Sequence, residues 1–240
     1  MTYDLPFFAL LDGTPEGTPY PQQVHDLGLL HVPSGRIEAS DPYVTLGEGL
    51  VVRVEPGSYP AFVTVADVSE ERDGSHLREA YLSLVLSDGG PVAEVRGVTP
   101  EGAEPADDGE HYGVGVDAGT VGFADAEAIV RCMPREDDST DWYDLLFDSG
   151  EPTSWFELMD SPGHYREGSA NITMPLATAG ENVVLSHSGW GDGFYPVVTT
   201  HAADGTLLGV HIDLLVAGPD DEADDEEADA EEAATERATA

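Results

Sequence analysis

Along the first half of the chain, apolar residues fall at every second position often enough to predict strands rather than helices. The stretch LREAYLSLVLS (77–87) sets Ala80, Leu82, Leu84 and Leu86 against Tyr81, Ser83, Val85 and Ser87, a period of two with one richer apolar face. LGLLHV (27–32), the turn PSGR and IEAS (37–40) read as a β-hairpin. LVVRV (50–54) and AFVTVADV (61–68) flank EPGSYP, where Pro56 and Gly57 supply a fixed and a permissive backbone for a tight corner. DGG (88–90) then turns the chain into PVAEVRGVT (91–99). Three further strands are predicted towards the end: NVVLSHS (182–188), FYPVVTTH (194–201) and TLLGVHIDLLV (206–216), the last two joined by ADG.

In the middle of the chain the period lengthens. Asp125 is placed to cap a helix over AEAIVRCM (126–133), which has an acid in its first turn and Pro134 just beyond its end. STDWYDLLFDSG (139–150) carries Trp142, Leu145 and Leu146 at three- and four-residue spacing, and Gly150 suits a C-cap. EPTSWFELMDS (151–161) predicts one more short helix, capped by Thr153 or Ser154. The expected fold is therefore α+β: mainly antiparallel β-sheet with a short helical insertion at about 125–160, forming a single domain over residues 1–218. Residues 219–240 are almost all Ala, Glu and Asp, too poor in apolar surface to offset the entropy of ordering, and predict a disordered acidic tail.

Charge narrows the picture. The 240-residue chain holds 48 acidic residues against nine arginines and no lysine, a formal net charge of −39. Eleven of the acids lie in residues 220–240, which leaves 37 spread over the body. Such excess carboxylate predicts a halophilic, cytoplasmic protein, whose self-repulsion is screened where the Debye length falls to about 3 Å. Without lysine there is no Schiff base and no P-loop lysine, and so few cations argue against a nucleic-acid partner. Cys132 is the single cysteine, so intrachain disulfides and Cys-rich zinc sites are excluded; within AIVRCM it reads as a small core residue. The opening residues MTYDLPFFALLDG have an acidic flank and an apolar run broken by Pro6, which predicts no signal peptide, and no long apolar run predicts a membrane span.

Candidate chemistry gathers at two glycine-rich stretches. In SHSGWGDGFYPV (186–197), three glycines alternate around Trp190 and Asp192 before Tyr195 and Pro196. Glycine permits either a tight turn or a loop pressed against a ligand. In the first reading Asp192 accepts backbone amides while Trp190 and Tyr195 cover the core; in the second Asp192 is a polar anchor or metal ligand at a cleft rim walled by Trp190. GVGVDAGTVGFAD (113–125) is similar to the phosphate-binding hairpin of actin-like and sugar-kinase ATPases. It lies mid-chain without a second phosphate loop, so Asp117 is read as ending a strand, Gly119 as turning it and Asp125 as capping the next helix. The expected binding residues are Asp117, Gly119, Trp190, Asp192, Gly193 and Tyr195.

If Asp117, Asp125, Asp192 and Asp213 met, their hard oxygens would suit Mg²⁺ or Ca²⁺, but spacing alone assigns no metal and no cofactor is expected. A two-residue ADGT turn would pair His201 with Leu208 and His211 with Val198, sending the two imidazoles to opposite faces. His187 adjoins the glycine loop and is the histidine of interest. Gly-x-Ser-x-Gly, His-Glu-x-x-His and Cys-x-x-Cys are all absent.

Four landmarks in fixed order, VPSGRIEASDP (32–42), EPGSYPAFVTVA (55–66), GVDAGTVGFAD (115–125) and SGWGDGFYPVVTTHAADGTLLGVHIDL (188–214), resemble the uncharacterised domain-of-unknown-function family numbered 4241. The resemblance spans most of residues 25–216 and omits the tail. It implies recurring roles for the glycines and for Asp117, Asp125, Asp192 and Asp213, and brings no activity with it. Some such families sit among toxin-neutralising immunity proteins, which implies a protein partner. The reading that follows is a non-enzymatic binding or interaction module whose protein or small-molecule partner is unknown. Its rival is a metal-assisted hydrolase using Asp117 and Asp192.

Overall fold

The stretches of period two do form strands, and every strand pairing is antiparallel. The computed structural model describes residues 3–107, 109–135 and 141–218. The first sheet contains β1 (Gln22–Val32), β4 (Gly57–Asp67), β5 (Leu77–Val85), β12 (Leu207–Asp213) and β11 (Gly193–His201) in that spatial order. The far edge of β11 is shared end to end by β6 (Glu94–Gly97) and β7 (Gly113–Val116). The second sheet runs β3 (Leu50–Arg53), β2 (Arg36–Ser40), β8 (Thr120–Asp125), β10 (Asn182–His187) and β9 (Ser169–Thr173).

Alternation then builds the layers. Leu82 and Leu84 of β5 and Val210 and Ile212 of β12 face Ile37, Ala39, Phe123 and Val184 of the second sheet in one aliphatic core. The opposite face of the second sheet carries Ala124, Val183, Leu185, Ala170 and Ile172, which pack against a separate cluster. That cluster is supplied by α1 (Ala126–Cys132), a π-helical turn (Tyr143–Phe147) and α2 (Trp155–Asp160) through Ile129, Phe147, Trp155 and Met159. The second sheet is thus apolar on both faces. Cys132 is buried in this cluster, and burial raises its thiol pKa, as suits a core residue.

The outer face of the first sheet is closed by an N-terminal strap, residues 3–20. The ring of Phe7 meets Tyr81 and His211 edge-on at centroid distances of 5.3 and 5.0 Å, and the Leu10 amide donates to Thr64 Oγ1 at 3.1 Å. Tyr3 donates its hydroxyl to Asp213 at 3.0 Å. Beneath the strap His211 is wholly buried between Ser83 Oγ (2.9 Å from Nδ1) and Thr200 Oγ1 (3.0 Å from Nε2). Loss of solvent pushes its pKa down to about 3, while burial lifts that of Asp213 to about 6.

Two expectations change in detail. The PSGR segment does not close a hairpin: β1 pairs with β4, and β2 with β3 and β8, so the turn carries the chain from one sheet to the other. EPGSYP makes the reverse passage, from β3 to β4. Period two fixes a strand's faces but not its neighbour, which is why both corners mimic hairpins. The predicted helix over 139–150 becomes the single π-helical turn, anchored by Phe147 rather than by the exposed Leu145. The predicted tail, residues 219–240, lies outside the described residues.

The N-caps agree with the sequence, whereas Gly150 is not the expected C-cap, since the π-helical turn ends at Asp148, whose amide donates to the Tyr143 carbonyl at 2.8 Å. Asp125 accepts the Ala128 amide at 2.8 Å, and Ser154 rather than Thr153 accepts the Glu157 amide at 3.4 Å. The β11–β12 hairpin pairs His211 with Val198, but a bulge after Thr200 sets His201 opposite Leu207 instead of Leu208. His201 Nε2 still lies by Thr199 Oγ1, on the face opposite to His211.

Candidate functional site

The two glycine-rich stretches adjoin because β7 and β11 are paired. Gly193 lies opposite Val116, so Asp192 and Asp117 occupy the next register position, where the strands part. The Ser188 amide donates to the Gly119 carbonyl at 2.9 Å, joining the two turns. Within the loop, the Ser188 and Tyr195 hydroxyls both donate to the Gly191 carbonyl, at 2.6 and 2.9 Å. Burial raises the Tyr195 pKa, which keeps that phenol a donor. Gly189 has φ +73°, and a Cβ there would lie 2.6 Å from the Glu79 carbonyl oxygen and 2.7 Å from Val216 Cγ2, so no other residue fits.

These bonds divide the six expected residues by role. Tyr195 is only 4% exposed and braces the loop from within, whereas Trp190 is 53% exposed and presents its indole to solvent. Asp117, Asp192 and Gly193 are exposed, and Gly119 is half-buried. The carboxylate that organises the VDAG turn is one the sequence did not single out: the wholly buried Asp41 accepts the Asp117 and Ala118 amides at 3.0 and 2.8 Å and the Thr120 hydroxyl at 2.6 Å.

The other two aspartates do not join this place. Asp125 is spent on the α1 cap and on the Ser34 amide, 2.7 Å away at the PSGR corner. Asp213 is held by Tyr3 and by the Leu215 amide under the strap. Among the described residues, no group of three or more His, Cys, Asp or Glu side chains is arranged to hold a metal ion. The four-carboxylate arrangement is therefore not formed.

Behind Trp190 lies a polar cavity of about 470 Å³, lined by Ser75, Arg78, Glu79, Arg166, Gly168 and His187 among others. The Arg166 guanidinium forms an ion pair with the buried Glu79 carboxylate. Arg78 lies over the Trp190 ring, its Cζ 5.6 Å from the ring centre. None of the ion pairs among the described residues uses Arg78, and its Nε is buried without a hydrogen-bond partner. Gly168, at φ +84°, leaves open a space that its Cβ would fill, 2.8 Å from Glu79 Oε1, 3.0 Å from His187 Nδ1 and 3.4 Å from Arg166 Nη1. Glu79 sits next to Ala80, inside the β5 stretch whose alternation suggested only a core strand. The legible signal was the placing of a scarce arginine and a carboxylate, Arg78 and Glu79, at the start of an apolar strand.

The family model described as protein of unknown function (DUF4241) matches residues 30–212, more than half of the chain, and takes in every residue of this cavity. No curated protein and no solved structure matches the chain.

Proposed function

We propose that this chain, which belongs to the DUF4241 family of proteins of unknown function, is a non-enzymatic cytoplasmic binding module acting as one domain over residues 1–218. Its partner meets the rim formed by Asp117, Gly119, Trp190, Asp192 and Gly193, with Tyr195 as the brace beneath. The observation that carries this reading is the pairing of a half-exposed indole with a loop whose backbone is fixed by two hydroxyls on one carbonyl. An apolar anchor on a rigid support loses little entropy when it is covered.

Immobilised chain should retain a cell-extract component at high salt, and Trp190→Ala should release it while leaving the melting temperature unchanged. Equal retention by both forms would remove Trp190 from the reading. A second reading, metal-assisted hydrolysis, draws on the shared register position of Asp117 and Asp192. Heat on titration with Mg²⁺ or Ca²⁺, abolished by Asp117→Asn, supports it, and no heat at millimolar metal ends it.

The halophilic reading rests on the −39 charge and the absence of lysine. It expects the far-UV circular dichroism to collapse on dilution from molar salt into dilute buffer, as screening of the carboxylates is withdrawn. Full retention of the spectrum would overturn it.

A further inference from the structure

The cavity behind Trp190 has features that the rim alone does not explain. In a chain of net charge −39, a cation is attracted almost anywhere on the surface, whereas an anion needs a place where that field is relieved. Here the formal charges of Arg78 and Arg166 balance those of Glu79 and Glu167, so the pocket is locally neutral. Arg166 is already committed to Glu79. Arg78 is not: its guanidinium is held by the Trp190 ring, makes no ion pair, and has a buried Nε–H with no acceptor. Beside it the positive φ of Gly168 keeps open the space against which His187 Nδ1 and Arg166 Nη1 stand. The volume, about 470 Å³, is that of a small-molecule site.

We infer that this cavity binds a small organic oxyanion, a carboxylate or phosphate that accepts hydrogen bonds from the Arg78 guanidinium and from His187. The inference goes beyond the binding-module reading, since the cavity is lined by other residues than the rim and joins it through Arg78 over the Trp190 ring. A guanidinium gives a planar pair of donors matched to either oxyanion, and its attachment to the indole fixes the direction of the fork.

The test is isothermal titration calorimetry of the full chain at constant chloride, with citrate, inorganic phosphate and neutral glycerol as probes. One of the two anions is expected to bind at a single site while glycerol does not, and which of them binds separates carboxylate from phosphate. Arg78→Met should weaken that binding at least tenfold, Arg78→Lys less, and His187→Gln severalfold, each with its circular dichroism spectrum intact. His187 is exposed, so its variant keeps the test open if Arg78→Met fails to fold. Absence of heat with both anions, or equal affinity in wild type and in the folded variants, overturns the inference. If an extract component is nevertheless retained through Trp190, the binding-module reading stands while the oxyanion falls.

Discussion

The two faces of the second sheet make an instructive contrast. One meets the first sheet through side chains such as Ile37, Ala39, Phe123 and Val184, packed against Leu82 and Leu84, all carried by strands whose neighbours are fixed by backbone pairing. The other meets Trp155, Phe147, Met159 and Ile129, supplied by helical pieces of five to seven residues. Helices that short are not stable by themselves in water, so they hold their shape through caps and through the large side chains they bury. The first core is a property of the sheets; the second is a property of a few anchors.

The largest expected effect tests the first core. Phe123 is fully buried at the centre of the sheet–sheet interface, and Phe123→Ala should cost about 3–5 kcal/mol by urea denaturation, in one cooperative transition. A small loss, or a transition split in two, would mean that the sheets unfold apart.

A second test uses the strap side of the first sheet, where His211 and Asp213 oppose each other in pH. The lowered pKa of His211 gives stability that is complete above about 6.5 and is lost as pH falls towards about 3. The raised pKa of Asp213 gives stability that is complete below about 3.8 and is lost as pH rises through about 6. On acidification from pH 6.5 to 4 the two therefore offset. Asp213→Asn removes the compensating half, so the variant should lose about 3 kcal/mol more than wild type over that window in urea titrations at each pH. Parallel curves would refute the assignment.

The caps come next. Asp125→Ala strips the α1 cap and leaves the Ser34 amide at the sheet-crossing corner without its acceptor, an expected loss of about 2 kcal/mol; Ser154→Ala should cost about 1 kcal/mol. Equal losses would show that Asp125 serves the helix alone. Trp190→Ala should change stability by under about 0.5 kcal/mol, since the indole is half in solvent.

The contrast also shows what the sequence could and could not disclose. The alternation in 77–87 located β5 and its inward residues, and Asp125 disclosed the start of α1, because both signals are local. Partner strands were not legible at PSGR or EPGSYP, since a chain leaving for the other sheet uses the same turn residues as one doubling back. The glycine loop was found through its composition, but Tyr195 and Trp190 could not be sorted into brace and exposed anchor without the Gly191 carbonyl that the Tyr195 and Ser188 hydroxyls share. The cavity escaped because Arg78 and Arg166 lie far apart in sequence and meet only through Glu79 and the β10 strand end.

The strap carries a consequence for how the protein is made. Tyr3 donates to Asp213, a partner 210 positions further along the chain. A ribosome releases the N-terminal segment long before the last strand exists, so Tyr81 and Thr64 can receive Phe7 and Leu10 early, while the contacts of Tyr3 with Asp213 and of Phe7 with His211 must wait through almost the whole of synthesis. Completion of that face is thus a late step of assembly, made when β12 brings His211 and Asp213 to a strap already lying on β4 and β5.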